Sequence, residues 1–271
     1  MPRLRPAGVF AAALLAALIA GCGPSQTKAA PIEITLADYA ITAPATIPAG
    51  VATFVAHDTG TQVHQAGLAR LDSGKTVADF TAAMQQQGAP PPRWIVWMGG
   101  LQDQSETAIP LDPGNYVWFC LVPDSTGMPH LFKGMVAPMS VTASTGAPGA
   151  APEADIDLTI RDYQWDFSRP LTPGKHVVKV TVAPGQPHEW VLVRFKQGAT
   201  PQDVLTWAAK PSGKLQGADY VGGIPMLQSG ETNYAILDLQ PGHYMYICFV
   251  PDATDGKPHF VHGMMQDLVI Q

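Results

Sequence analysis

The chain has 271 residues, of which 46% are hydrophobic and only 14% are charged. This balance excludes an intrinsically disordered chain, which lacks the apolar residues that build a core. The formal net charge is −6 and Lys and Arg form no cluster, so we do not expect nucleic acid as a partner, because phosphate binding needs grouped cations. At roughly 100–200 residues per domain, the length fits one large domain or two small ones.

The first 22 residues have the character of an export signal. Two arginines precede the apolar segment 8–20, which is too short to span a hydrocarbon core of about 30 Å comfortably. The segment ends in the run LIAGC at 18–22, which resembles the bacterial lipobox, where the Cys becomes the lipid-modified N terminus. We therefore expect a lipoprotein signal peptide over 1–22, lipidation at Cys22 and a tether over 23–31. An ordinary signal peptide with a coincidental Cys is the alternative. The signal predicts a protein of the bacterial cell envelope, which its lipid holds on the periplasmic or extracellular side of a membrane.

Residues 32–142 and 154–271 are two versions of one pattern, called here the first copy and the second copy. Asp38 and His64 of the first copy correspond to Asp162 and His188, in each case 124 positions later. The run LDPGNYVWFCLVPD at 111–124 matches LQPGHYMYICFVPD at 239–252, and PHLFKGM at 129–135 matches PHFVHGM at 258–264. The segment 143–153, rich in small residues, is a linker. A period of this length indicates two duplicated domains.

Each copy is predicted to be mostly β-strand, with one short helix. The predicted strands, rich in β-branched and aromatic residues and mostly bounded by Gly/Pro turns, are 32–36, 52–57, 116–121, 177–182, 190–195 and 244–250. Helices are predicted over 76–84 and 200–208, because each begins with a Thr that has an Asp three residues later, and Pro201 suits the first helical position. The fold class is therefore all-β, with two tandem Greek-key β-sandwiches that each carry a short helical insertion.

The remaining cysteines, Cys120 and Cys248, stand at matching positions in the two copies. A disulfide between them is one possibility in an oxidising compartment. It would require equivalent points of two domains to approach within about 7 Å beside a two-fold axis. We favour two unpaired thiols that serve as metal ligands.

Each Cys is accompanied by one upstream His, one downstream His and a downstream Met. Two imidazoles, a thiolate and a weak thioether are the ligand set of a mononuclear electron-transfer copper site, since soft sulfur suits Cu(I) and imidazole suits Cu(II). The candidate ligands are His64, Cys120, His130 and Met135 in the first copy and His188, Cys248, His259 and Met264 in the second.

Several motifs resemble those of the cupredoxin family, whose members carry type 1 (blue) copper. PHEWVLV at 187–193 is similar to the family strand that holds the first His ligand. PGNYVWFC at 113–120 and PGHYMYIC at 241–248 are similar to the strand that ends in the Cys ligand, and the His-x4-Met spacing is also typical of the family. One feature departs from it: nine and ten residues separate Cys from the second His, where the family has two to four. The turn residues in these segments predict an ordered excursion that returns the His to the Cys.

The resemblance implies up to one copper ion in each copy and one-electron transfer with redox proteins of the periplasm or membrane as partners. It also implies that the electron passes through His130 or His259, as the ligand nearest the surface. Copper storage or delivery is an alternative, and a metal-free binding module is another. His262 is excluded as a shared ligand, because Lys133 takes its place in the first copy.

The sequence also leads us to expect that the protein is not an enzyme. Multicopper oxidases and copper nitrite reductases contain repeated cupredoxin domains, but they need His-x-His or His-Cys-His ligands for additional copper ions, and neither motif occurs. Motifs typical of hydrolases or of phosphate-binding loops are also missing from the sequence.

Overall fold

The computed structural model describes Met1 and residues 30–86, 90–146 and 149–271. Apart from Met1, the predicted signal peptide lies outside the described residues, as do Cys22 and most of the tether. Within the described part of the chain, no helix is both long enough and apolar enough to cross a membrane.

The first copy contains nine described strands and one α-helix. They are β1 (Ile32–Ala37), β2 (Ala40–Thr42), β3 (Thr46–Pro48), β4 (Gly50–Asp58), β5 (Gln65–Leu71), α1 (Val77–Met84), β6 (Ile95–Gln102), β7 (Glu106–Leu111), β8 (Gly114–Phe119) and β9 (Val136–Thr142), with a short 3₁₀ helix at His130–Lys133.

The second copy repeats this order except that β3 has no counterpart among its described strands. Its elements are β10 (Ile156–Arg161), β11 (Gln164–Phe167), β12 (Gly174–Val182), β13 (His188–Phe195), α2 (Pro201–Ala209), β14 (Ala218–Leu227), β15 (Thr232–Leu239), β16 (Gly242–Ile247) and β17 (Met265–Ile270), with a 3₁₀ helix at His259–His262. All six predicted strands and both predicted helices are confirmed. The fold class is confirmed as well, since the described residues form two tandem β-sandwiches, each with a short helical insertion.

The strands form two sheets that both run through the two copies. One sheet has the order β11-β10-β12-β15-β7-β4-β1-β2, and the other has the order β17-β16-β13-β14-β6-β5-β8-β9-β3. The copies join where β7 pairs with β15 and where β6 pairs with β14, both antiparallel. Asn233 strengthens this junction, since its Nδ2 donates to the carbonyl of Met98 at 2.7 Å. The two sandwiches are therefore fused edge to edge.

Each sandwich encloses its own apolar core between the two sheets. Trp118 and Phe54 pack edge-on in the first core, and Trp190 and Phe167 do so in the second. Burial of such aromatic side chains contributes much of the stability of a small sandwich.

The two α-helices begin as predicted. In α1, the backbone N–H of Asp79 donates to Thr76 Oγ1 while the Asp79 carboxylate accepts from the backbone N–H of Thr76. In α2, the Asp203 carboxylate accepts from the backbone N–H of Thr200 at 2.7 Å. These capping boxes satisfy donors that the first helical turn leaves free.

Candidate metal centre

The strands bring an upstream His and a Cys to the same end of each sandwich. His64 directly precedes β5 and His188 is the first residue of β13, while Cys120 and Cys248 directly follow β8 and β16. Because β5 pairs antiparallel with β8, and β13 with β16, the beginning of one strand lies beside the end of the other.

The long connection from each Cys to the next His is a hairpin that closes on itself. In the second copy, the backbone N–H of His259 donates to the carbonyl of Val250 (2.9 Å) and that of Phe260 donates to the carbonyl of Cys248 (3.0 Å). The first copy makes the equivalent bonds. The hairpin therefore returns the imidazole to the sulfur across ten residues, as the turn residues predicted.

Three predicted ligands of the second copy converge. The ligand atoms of His188, Cys248 and His259 all lie within 4.8 Å of one another, and Cys248 Sγ is 3.5 Å from His259 Nδ1. A tetrahedral ion with bonds of about 2.0–2.3 Å keeps its ligand atoms about 3.3–3.8 Å apart, so the sulfur–nitrogen spacing suits a bound metal. All three residues are 0% exposed, so bulk water is kept away.

The ring nitrogens of the second copy are oriented for ligation. His188 Nε2 donates to Asp162 Oδ1 at 2.9 Å, and its Nδ1 is buried without a hydrogen-bond partner. His259 Nε2 faces Gln186 Oε1 at 3.4 Å, which leaves Nδ1 on the side of the sulfur. A ligating His is normally held in this way through its other nitrogen. The orphaned Nδ1 of His188 therefore fits a metal ion between the two rings and the thiol.

Burial sets the protonation states of these ligands. Loss of hydration, helped by the nearby His188, lowers the pKa of His259 to about 4, and burial also lowers the pKa of His188. Both imidazoles are therefore neutral near pH 7, which is the form that binds a metal. Burial, reinforced by the charge of Glu189, raises the pKa of Cys248, so the thiol keeps its proton until a metal displaces it.

The first copy is arranged differently at its upstream His. Cys120 Sγ lies 3.6 Å from His130 Nδ1, which matches the second copy. The Nδ1 of His64, however, donates to Asp58 Oδ1 at 2.9 Å, and the nitrogen left without a hydrogen-bond partner is Nε2. The trio of the first copy is not among the groups of the described residues whose ligand atoms lie within 4.8 Å of one another.

Asp58 is held in place from the other copy. Its carboxylate pairs with the Lys214 ammonium, and its side chain is 0% exposed. Burial acts to raise the pKa of Asp58, but the hydrogen bonds from His64 and Lys214 outweigh it and keep that pKa below its usual value. The corresponding residue of the second copy is Val182, which cannot accept a hydrogen bond. This difference explains why Nδ1 is hydrogen-bonded in His64 but has no hydrogen-bond partner in His188.

Backbone hydrogen bonds hold each predicted Met ligand next to the Cys and the downstream His of its copy. The backbone N–H of Cys248 donates to the carbonyl of Met264 (3.0 Å), and the backbone N–H of Met264 donates to the carbonyl of His259 (3.1 Å). Met135 makes the same pair of bonds in the first copy, and both Met residues are 0% exposed. Gly263, at a φ of 103°, ends the 3₁₀ helix and turns the chain from His259 to Met264.

Neither His130 nor His259 is itself in contact with solvent, because both residues are 0% exposed. Besides Gln186, the Tyr163 ring covers His259, and the two rings pack edge-on with centroids 5.6 Å apart. The first copy covers His130 in the same way. In both copies the covering tyrosine has a left-handed backbone with a φ of 64°, a local conformation that the strand pattern does not reveal.

A second group of the described residues has the spacing of metal ligands, but its polar atoms already form hydrogen bonds with one another and with neighbouring side chains. The ligand atoms of Asp252, Asp255 and His262 lie within 4.8 Å of one another. The Asp252 carboxylate, however, already accepts hydrogen bonds from Tyr163 and Thr254. His262 Nε2 is bonded to Asp255 at 3.2 Å.

Both described cysteines are free and buried, so the preference for unpaired thiols over a disulfide is confirmed. Sequence reasoning did not find the residues around the ligands, namely Asp58, Asp162, Gln186 and Lys214. Asp162 and Gln186 recur in the first copy as Asp38 and Gln62, and that recurrence was the signal available for them. Nothing in the sequence pattern pointed to the role of Lys214, because it acts across the junction.

Comparison with known proteins gives likenesses of fold. An auracyanin B is 21% identical over 45% of this chain and 93% of its own, with a TM-score of 0.28. A copper-containing nitrite reductase from Thermus scotoductus is 10% identical over 89% of this chain and 61% of its own, with a TM-score of 0.24. A blue copper oxidase from Nitrosomonas europaea is 13% identical over 87% of this chain and 84% of its own, with a TM-score of 0.24. No family model and no curated protein matches the sequence.

One prediction must be corrected in view of these comparisons. The sequence led us to expect that the protein is not an enzyme. The solved structures that cover more than four fifths of the chain include a nitrite reductase and a blue copper oxidase, which are enzymes, so that expectation is contradicted. The missing His-x-His and His-Cys-His motifs are therefore no ground for excluding catalysis. At these TM-scores, the likeness assigns no particular reaction to this chain.

Proposed function

We propose that the protein is a copper-dependent one-electron transfer protein whose working site is in the second copy. His188 through Nδ1, Cys248 through Sγ and His259 through Nδ1 would hold the ion, with Met264 as a weak fourth ligand. A copper ion bound there would supply a couple between Cu(I) and Cu(II). The observation that carries this proposal is the buried, unpartnered Nδ1 of His188 beside a thiol and a second imidazole.

The residues around the site favour rapid electron transfer. Asp162 and Gln186 fix the two rings through their outer nitrogens, and the ligands are buried in a packed β-sandwich. Such a site rearranges little when the charge of the ion changes, because its side chains have no free space and no water shell to reorganise. Copper delivery would instead need ligands that open to a partner.

The surface over His259 provides a place for a redox partner. Tyr163 is 39% exposed and Val261 is 54% exposed. A small apolar patch next to the covering tyrosine suits a transient protein contact. We propose that electrons pass between His259 and a periplasmic or membrane redox protein through this cover of Tyr163 and Gln186.

The remaining proposals concern location. The lipobox-like run at 18–22 supports an anchor on Cys22 in the bacterial cell envelope, on the periplasmic or extracellular side. The test is expression of the full chain and a Cys22→Ser variant in a bacterial host. The wild-type chain should partition into the detergent phase and incorporate labelled palmitate, and the variant should do neither. Equal partitioning of both would contradict the anchor.

The main experiment is copper loading of the purified full chain. We expect intense visible absorption from thiolate-to-Cu(II) charge transfer, which disappears on reduction and returns on oxidation. Cys248→Ser should abolish the colour and the bound copper, whereas Cys120→Ser, its matched control in the first copy, should retain both. A colourless wild-type protein, or a Cys248→Ser variant that keeps its absorption, would refute the proposal.

A further inference from the structure

A cavity of about 280 Å³ lies between the two copies. Residues that follow each Cys line it from both sides, with Leu121 and Val122 on one side and Phe249 and Val250 on the other. Gln65 of the first copy and Glu189 of the second also line it, and they occupy matching positions, each directly after the upstream His. The cavity is therefore walled by equivalent parts of both copies, but only one of them contributes a carboxyl group.

The carboxyl group of Glu189 lacks a cationic partner. Glu189 is 6% exposed, and one oxygen accepts a hydrogen bond from the backbone N–H of Phe249. Among the described residues, no Lys, Arg or His lies within ion-pair distance of this carboxyl, and its other oxygen accepts no hydrogen bond. A buried carboxylate without a partner is costly, and a cation entering the cavity would provide one.

Aromatic side chains form much of the remaining wall. Phe119, Phe249, Trp207 and Tyr220 all line the cavity. Aromatic faces attract organic cations, and this attraction is largest where water is excluded. Burial, followed by the charge of Glu189, raises the pKa of Tyr220, so this tyrosine lies in the electrostatic field of the carboxyl. The indole N–H of Trp207 is buried without a hydrogen-bond partner.

The volume limits the size of a ligand. An apolar cavity of about 150 Å³ holds benzene, so one of about 280 Å³ accommodates a ring with a short side chain. We propose that this cavity binds a small organic amine, with its ammonium group at the Glu189 carboxyl and its apolar body against the aromatic wall. None of the ligands of the proposed copper centre lines this cavity, and binding of the amine needs no metal.

The test is calorimetric titration of the copper-free full-length chain with 2-phenylethylamine, together with its neutral analogue 2-phenylethanol and its anionic analogue phenylacetate. The copper-free protein is used so that ligation of the amine to copper cannot contribute. We expect the amine to bind at least tenfold more tightly than the alcohol and phenylacetate to give no measurable binding. Absence of amine binding, or amine and alcohol affinities within threefold of each other, would overturn the proposal.

Three variants test whether the amine binds in this cavity. Glu189→Gln, which introduces the residue that the first copy has at this position, should weaken amine binding at least tenfold. Ala208→Phe fills the cavity from α2 without altering the carboxyl and should also abolish binding, so it decides the matter if Glu189→Gln fails to fold. Glu33→Gln removes an exposed carboxyl elsewhere and should leave the affinity within twofold. Unchanged binding in folded Ala208→Phe would exclude this cavity as the site.

Discussion

Replacing Asp58 by Val should convert the first copy into a copper site like that of the second. Asp58 and Val182 have the same place in the fold, since Asp58 pairs with Leu36 across β1 and β4 and Val182 pairs with Ile160 across β10 and β12. In the Asp58→Val variant, nothing holds His64 Nδ1 away from Cys120. The ring can then turn so that Nε2 donates to Asp38, whose Oδ1 already lies 3.5 Å away.

The size of the effect follows from the hydrogen bond that copper must break. The side chains of His64 and Asp58 are both 0% exposed, so solvent does not weaken their interaction. A hydrogen bond to a charged group contributes roughly 1.5–3 kcal/mol, and every 1.4 kcal/mol corresponds to about tenfold in affinity. We therefore expect Asp58→Val to raise the copper affinity of the first copy by roughly 10- to 150-fold.

The assay isolates the first copy by removing the thiol of the second. Copper affinity is measured by chelator competition in Cys248→Ala and in Cys248→Ala with Asp58→Val. Lys214 retains a partner in the double variant, because its Nζ lies 4.0 Å from Asp103 Oδ2. Cys248→Ala with Lys214→Arg is the matched control, since it changes the residue beside Asp58 but keeps both a cation there and the bond to His64, and its affinity should stay within threefold of that of Cys248→Ala. Equal affinities with and without Asp58 would refute the proposed role of this carboxylate.

Three further predictions concern the second copy. Met264→Leu removes the thioether, so the reduction potential should shift while the copper content measured by mass spectrometry is unchanged. A change in neither potential nor spectrum would argue against ligation by Met264. Asp162→Asn weakens the group that orients His188 and should reduce copper affinity by about 10- to 100-fold, measured by chelator competition. Tyr244→Phe removes a hydrogen bond to the carbonyl of Gln240 (2.6 Å) and should lower the free energy of unfolding in urea by about 1 kcal/mol, with copper binding unaffected.

The sequence was sufficient to predict the features that depend on residues close together in the chain, such as strands and turns. Strand β8 and its counterpart β16 are marked by aromatic residues that follow a Pro-Gly turn. The contact between Cys248 and His259 was predictable because turn residues frame the intervening segment. Both predicted strands extended too far, to 121 and 250. The structure ends them at Phe119 and Ile247, because from Cys248 onward the backbone bonds to the returning hairpin and to Met264.

Features that depend on contacts between distant parts of the chain were not predictable. The upstream His residues match in sequence, yet the ring of His64 is turned by Asp58, and Asp58 is in turn stabilised by Lys214, 156 residues later. Aligning the two copies compares each residue only with its counterpart, so the alignment does not reveal a contact between a residue of one copy and a residue of the other. For the same reason, the pairing of β7 with β15 did not follow from strand patterns that either copy shows by itself.

The fusion of the two sandwiches explains why the two copies differ at the upstream His. A carboxylate as deeply buried as that of Asp58 is strongly destabilising without a cation, and its cation belongs to the other copy. Asp58 is therefore tolerated only while the junction holds Lys214 against it. Because Asp58 binds His64 Nδ1, the different hydrogen bonding of His64 in the first copy depends on the presence of the second copy. Val182 needs no such support, and the second copy keeps an imidazole nitrogen free. Two versions of one pattern can thus diverge in chemistry without diverging in fold, because the interaction that distinguishes them crosses the junction.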